Sequence, residues 1–187
     1  MPVAPNAKLT PWADNDSLNT TNVNGYLRDP LRFLLLKPIC QVRQGTAQTV
    51  VTATWSDMNN MTIEDIDTDP DGVGGHSTST NTARFTARYP GWYRLGGGVS
   101  TAAGTGVRGA RFAVNSTAVT ASESVIPATS GQPTSVPARS VLVALDEGDY
   151  ATIQGYHSNG SNLDTYIGSG FGTSLTAVLE RLRVGDA

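Results

Sequence analysis

A chain of 187 residues that is 39% hydrophobic and 16% charged, with 20 glycines and 10 prolines, has room for one full domain plus an appendage and reads as soluble, turn-rich and all-β. Its 13 basic and 16 acidic residues leave a net charge of -3, which excludes the clustered cations that binding to nucleic acid requires. The lone Cys40 excludes an intrachain disulfide and a cysteine-rich metal site, and no apolar run approaches membrane-spanning length.

Residues 1 to about 16 hold three prolines and Trp12 as their only large ring. They read as an extended arm, with no basic and then apolar stretch of a secretory leader. Val23, Tyr26 and Leu27 then recur at helical spacing, and Leu31, Leu34 and Leu35 continue the pattern after Asp29-Pro30, a good N-cap and first-turn pair. Pro38 ends the helical part. A helix this short is marginal alone, so its leucines and Phe33 must be covered either by the main domain or by other chains. The second case makes it a docking or trimer-forming segment. The division expected is an arm and helical anchor over 1–38 and a β domain over 39–187.

From Ile39 onward the period falls to two. Strands are expected at 39–43, 49–55, 83–89, 92–101, 110–114, 117–120, 141–145, 150–157 and 174–182, separated by Gly, Pro, Asn and Asp connectors. About nine short strands with regular turns fit a β-sandwich or jelly roll. In FTARYPGWYRLGGGVST, residues 85–101, the odd positions Phe85, Ala87, Tyr89, Tyr93, Leu95 and Val99 are apolar, and the even ones carry Thr86, Arg88 and Arg94. Parity runs unbroken through Pro90-Gly91, which implies a bend in one continuous ribbon. Trp92 falls on the arginine face, where it either stacks with Arg88 or Arg94 or enters an intersubunit contact.

Three patterns bear on chemistry. Asp67, Asp69, Asp71 and Gly72 match the first half of a calcium loop, D-x-D-x-D-G, but Thr78 stands where the closing Glu belongs. The alternative is an acidic turn built from ordinary turn residues. His76 and His157 have no metal-ligand neighbour at a suitable spacing and read as surface loop residues. Ser158, His157 and Asp164 compose a triad on paper, yet no nucleophile elbow occurs and the chain is expected not to be an enzyme. The loop 156–166, with Tyr156, His157, Asn159, Asn162 and Asp164, has the rings and polar groups that suit carbohydrate at an exposed rim.

The pattern FTxxxPGxYxxxxxV over 85–99 resembles the central signature of the complement C1q-like, tumour-necrosis-factor-type jelly roll. Three further segments follow in order: Phe112 to Val114 with its Asn115-Ser116 turn, VLVALDEGDYATIQ over 141–154, and SGFGTSLTAVL over 169–179. The resemblance covers about 39–183. Thr173 and Ser174 replace its usual Gly-Phe, and no collagen-like run precedes the domain. Such domains form threefold trimers with apolar and aromatic residues near the axis, which here implies Tyr150, Tyr156, Tyr166 or Phe171 between subunits. The segment PWADNDSLNTTNVNGYLRDPLRFLLLKP, residues 11–38, is similar to the opening of actinobacteriophage minor tail proteins. That implies a virion component assembled in bacterial cytoplasm, on the tail or as a head decoration. Trp12, Tyr26, Leu27, Leu31, Phe33 and Leu34 would anchor it to other virion proteins, and the exposed trimer would meet a host cell-surface glycan. The other reading of the same fold is a glycan or protein recognition module assisted by calcium.

Overall fold

The computed structural model describes residues 28–168 and 170–183. Trp12, Tyr26 and Leu27 lie outside them. The described chain opens with a seven-residue helix, α1 (Asp29–Leu35), which has Arg28 rather than Asp29 at its N-cap and proline in its first turn. The Leu36 N–H donates to Arg32 O at 2.8 Å and closes its last turn. No helix among the described residues is long and apolar enough to cross a membrane.

Fourteen strands follow: β1 (Ile39–Arg43), β2 (Thr49–Val50), β3 (Ser56–Asp57), β4 (Ile63–Thr68), β5 (Phe85–Thr86), β6 (Gly91–Thr101), β7 (Val107–Val114), β8 (Thr117–Ala118), β9 (Ser124–Pro127), β10 (Thr134–Pro137), β11 (Val141–Leu145), β12 (Tyr150–His157), β13 (Leu163–Asp164) and β14 (Ser174–Leu182). The first sheet runs β10-β6-β14-β1-β4, with β11 also on β6; the second runs β3-β12-β7-β8, with β5 on β12 and β9 on β7; β13 and β2 form a small ribbon. All pairings are antiparallel. One apolar core lies between the two sheets. The first contributes Cys40, Val42, Tyr93, Leu95, Leu175, Ala177 and Leu179, and the second Phe85, Ala110, Phe112, Ala151 and Ile153. This is the jelly-roll sandwich that the alternation of the strands implied.

The ribbon over 85–101 holds its parity for a structural reason. Phe85, Ala87, Tyr89, Tyr93 and Leu95 are all buried, although β5 belongs to the second sheet and β6 to the first. Pro90-Gly91 is the corner at which the chain crosses between layers with the same face still inward. A Cβ on Gly91 would sit 2.3 Å from Leu179 Cδ1 and 2.7 Å from Arg181 O, so only glycine passes β14 this closely. The alternation ends at Gly97, whose φ of 141° and hypothetical Cβ, 2.2 Å from Ser174 O, leave room for no other residue. The Tyr93 hydroxyl donates to Tyr89 O at 2.9 Å, the partner that a buried phenol needs.

The structure departs from the sequence reading in four places. Of the strand expected over 49–55 only β2 (Thr49–Val50) forms; the chain turns at Ala53, which adopts φ 56° and donates its N–H to His157 O at 2.7 Å, and pairing resumes beyond it in β3. The strand expected over 83–89 keeps its pairing only at Phe85–Thr86. Strands β4, β9, β10 and the two-residue β13 were not expected: β4 has Glu64 and Asp65 exposed on an edge, and β9 and β10 each end in a proline. Charges and proline on edge strands block pairing with other chains and erase the apolar alternation. Phe33 crosses the division expected at 38/39. It packs into the core, edge-to-face with Tyr89 at 5.2 Å and 71°.

Candidate interaction face

The outward side of the first sheet is unusually apolar for a surface open to water. Odd positions of β6 point into the core, so Trp92 and Arg94 point outward. Register places Ala144 opposite Trp92 and Leu142 opposite Arg94, with Val178 and then Ile39 beyond in the same row. Trp92 remains 40% exposed and Leu142 49%. The strand VLVAL is thus apolar on both faces. In an antiparallel sandwich that pattern belongs to a strand covered on both sides.

Helix α1 extends this surface. Phe33 turns inward, whereas Leu31, Leu34, Leu35 and Leu36 stay uncovered, Leu34 at 64% and Leu35 at 82%. Phe33, expected among the anchoring residues, is therefore a core residue, because its ring seats against Tyr89 inside the protomer. A groove of about 290 Å³ lies between Phe33, Leu34, Lys37 and the Leu179–Leu182 end of β14. A second, of about 310 Å³, lies between Trp92, Leu142, Glu180 and Arg181. Glu180 and Arg181 wall both, so the two form one strip. Arg94 Nε donates to Glu180 Oε1 at 2.5 Å, which pairs those two charges in the middle, with Arg181 beside them. Neither arginine named for Trp92 stacks on it. Arg94 is held by Glu180 and Arg88 by Asp69 and Asp71, and the described cation–π contacts are Arg84 over Tyr150 and Arg111 over Trp55.

The three aspartates of the calcium-like motif do separate jobs. Asp67 accepts the N–H groups of Gly75 at 3.0 Å and His76 at 2.8 Å. Asp69 Oδ1 accepts those of Asp71 at 2.9 Å and Val73 at 3.2 Å, and its Oδ2 lies 3.2 Å from Arg88 Nη1. Asp71 Oδ2 accepts the Tyr89 hydroxyl at 3.0 Å. Among the described residues no three carboxylate, imidazole or thiol groups gather as a cation would need. Burial, reinforced by the neighbouring Asp67, pushes the Cys40 thiol well above its usual range, and burial with the Asp71 bond does the same for the Tyr89 phenol. We expect millimolar calcium or a chelator to leave the melting temperature unchanged; a rise of several degrees with calcium alone would show that the carboxylates can be recruited.

The loop over 156–166 is stapled to its neighbours. His157, read from sequence as a surface residue, is fully buried. Its Nε2 lies 2.9 Å from Val50 O and its Nδ1 accepts the Asn159 N–H at 3.3 Å, so Nε2 carries the proton. Ser158 Oγ accepts the Val107 N–H at 3.0 Å. Asp164 accepts the Thr49 hydroxyl at 2.6 Å. The paper triad is thus three side chains engaged elsewhere. Asn159 Oδ1 accepts the Thr105 N–H at 2.8 Å, and Asn162 is exposed. Tyr156 stacks on Trp55 at 5.2 Å, with Arg111 Cζ 4.3 Å above the indole. Sequence reasoning missed this stack, because Trp55 closes a segment that reads as one plain strand. Tyr150 and Tyr156 lie on the second sheet, Tyr166 is half-buried, and Phe171 is exposed. Trp92 alone among the expected subunit-contact aromatics lies on the outer face of the first sheet.

The fold matches solved tumour-necrosis-factor-type domains. A structure titled Eiger TNF from S. frugiperda aligns with a TM-score of 0.59 at 10% identity, over 81% of this chain and 98% of that one. Murine APRIL aligns with a TM-score of 0.54 at 13% identity, over 76% and 98%. The globular domain of zebrafish complement 1qA aligns more loosely, with a TM-score of 0.46 at 14% identity over 79% and 100%. No protein-family model and no curated protein sequence matches the chain. At such identities the two closer alignments speak to architecture alone, and function must be argued from the surface.

Proposed function

We propose that the chain is a non-enzymatic structural protein of a tailed bacteriophage particle. It assembles as a homotrimer through the outer face of its first sheet, and its N-terminal arm attaches it to the tail or the head. The observation that carries this reading is the apolar strip from Leu34 past Glu180 and Arg181 to Trp92 and Leu142. A monomer has no use for it, and covering each half-exposed leucine contributes on the order of 1 kcal/mol. The occupants we assign are the two neighbouring copies of the same chain, brought together about a threefold axis. The strip carries both signs of charge, with Arg94 paired to Glu180 and Arg181 beside them, so opposite charges can meet across neighbouring copies, and closed symmetry multiplies contacts that are weak singly. The virion placement is supported by the resemblance of residues 11–38 to minor tail proteins, and the surface away from the arm would face the host envelope.

Phe33 decides how to test the arm. Deleting residues 1–38 would remove a core ring, a loss of roughly 3–5 kcal/mol, and would confuse misfolding with detachment. Deleting residues 1–28 keeps α1. We expect that truncation to stay folded, keep its assembly state, and disappear from purified particles. Incorporation at the normal level would contradict attachment through the arm.

A further inference from the structure

A polar cleft of about 270 Å³ opens between the 74–81 loop and β5, apart from the strip described above. Just below the roughly 300–1,000 Å³ range of ligand pockets, it has room for one ring and little more. Two arginines, Arg84 and Arg88, line it, and they are not equivalent. Arg88 is balanced by Asp69 at 3.2 Å and Asp71 at 3.5 Å. Arg84 makes no ion pair among the described residues. Its guanidinium lies 3.9 Å over the Tyr150 ring, and its backbone is pinned by Asn81 O, which accepts its N–H at 2.9 Å, and by a His76 ring nitrogen 2.9 Å from its carbonyl. The Tyr150 ring is itself fixed by a 2.8 Å hydrogen bond between its hydroxyl and Ser116 Oγ. One cation without a counter-ion is therefore held in place in advance. Around it, Ser77, Thr80 and Thr86 offer hydroxyls and Asn81 an amide, groups that both donate and accept.

We propose that this cleft binds a single sugar ring carrying one carboxylate, a uronate-type unit, with Arg84 pairing to the carboxylate and the hydroxyl and amide groups meeting the ring hydroxyls. The charge count selects one negative group, because only Arg84 is uncompensated. The mixture of donors and acceptors suits a polyol ring, whose several hydroxyls are spread over more positions than the oxygens of a bare phosphate. The apolar strip lies outside the cleft, so no hydrophobic segment is called for. The proposal rests on the particle-surface reading only for where such a sugar would be met, namely on a host envelope.

The test is titration of the full-length protein at low salt with glucuronate, with glucose as its uncharged counterpart and inorganic phosphate as a bare anion, followed by chemical-shift changes. Glucuronate should bind with a Kd on the order of 1 mM, at least about fivefold tighter than glucose and than phosphate. Arg84→Gln should weaken glucuronate about tenfold or more and leave glucose unchanged. Thr80→Val, which removes an exposed hydroxyl and its 3.1 Å bond to Ser77 Oγ but no buried group, should weaken both sugars about threefold and serves if the arginine variant loses its fold. Equal binding of glucose and glucuronate, phosphate binding as tightly as glucuronate, or glucuronate affinity unchanged in both variants would each overturn the proposal. The mass in solution should be the same for both variants as for the parent, so failure of the sugar site is separable from failure of the assembly reading.

Discussion

Trp92→Glu converts the assembled protein into a folded monomer. The indole lies outside the core, 40% exposed beside Leu142, Glu180 and Arg181, so its removal leaves no cavity between the sheets. What changes is the strip. In a symmetric assembly each substitution occurs once per subunit, and every new carboxylate has to enter the covered face in place of an indole, between Glu180 and Arg181. Lost apolar cover and the desolvation of a charge act together and cost several kcal/mol over the assembly. Sedimentation should report the mass of one chain at concentrations where the parent is assembled, with the far-ultraviolet spectrum unchanged. Val125→Glu is the control: Val125 is comparably exposed at 47% but belongs to β9 on the second sheet, and its variant should keep the parent mass. A Trp92→Glu protein that stays assembled would place the contact elsewhere.

Asp69→Ala lowers the melting temperature far more than Asp71→Ala. The Asp69 side chain is only 2% exposed. Its loss removes the acceptor of two loop N–H groups and leaves Arg88, only 22% exposed, without its buried counter-ion. Breaking such a pair from one side costs about 3–5 kcal/mol. In a chain of this size each kcal/mol moves the transition by roughly 2–4 °C, so a fall of roughly 6–12 °C or more is expected at fixed protein concentration. Asp71 is 43% exposed and shares Arg88 at 3.5 Å; with its bond to Tyr89 included, about 1 kcal/mol is expected. Equal effects of the two substitutions would mean that the loop is not built around Asp69.

The same aspartates show where sequence reading stops. A calcium loop and a self-stapled turn both need carboxylates at alternate positions and a permissive glycine, because both wrap backbone around side-chain oxygens. Spacing alone does not separate them, and only the partners of each oxygen do. The sandwich was more legible. β1, β11, β12 and β14 appear at their expected bounds, since each carries apolar residues that are buried or half-buried on one side. β4, β9 and β10 were not visible, because edge strands replace apolar alternation with charge or proline. The interaction face was half legible. Trp92 stood out as a ring on the polar parity, and the four leucines of 31–36 demanded a cover. Leu142 went unnoticed, although the unbroken apolar run of 141–145 carried the signal that both faces of that strand are covered. Which of the helix residues serves the core could not be read from spacing, since Phe33 and Leu34 are adjacent and only the position of Tyr89 decides between them.

The central claim is that the outer face of the first sheet joins copies of this chain, and the mass of the full-length protein in solution tests it most directly. Sedimentation equilibrium at micromolar concentration should return three times the 19.6 kDa chain mass. A single-chain mass for the parent protein, persisting as the concentration is raised, would contradict it.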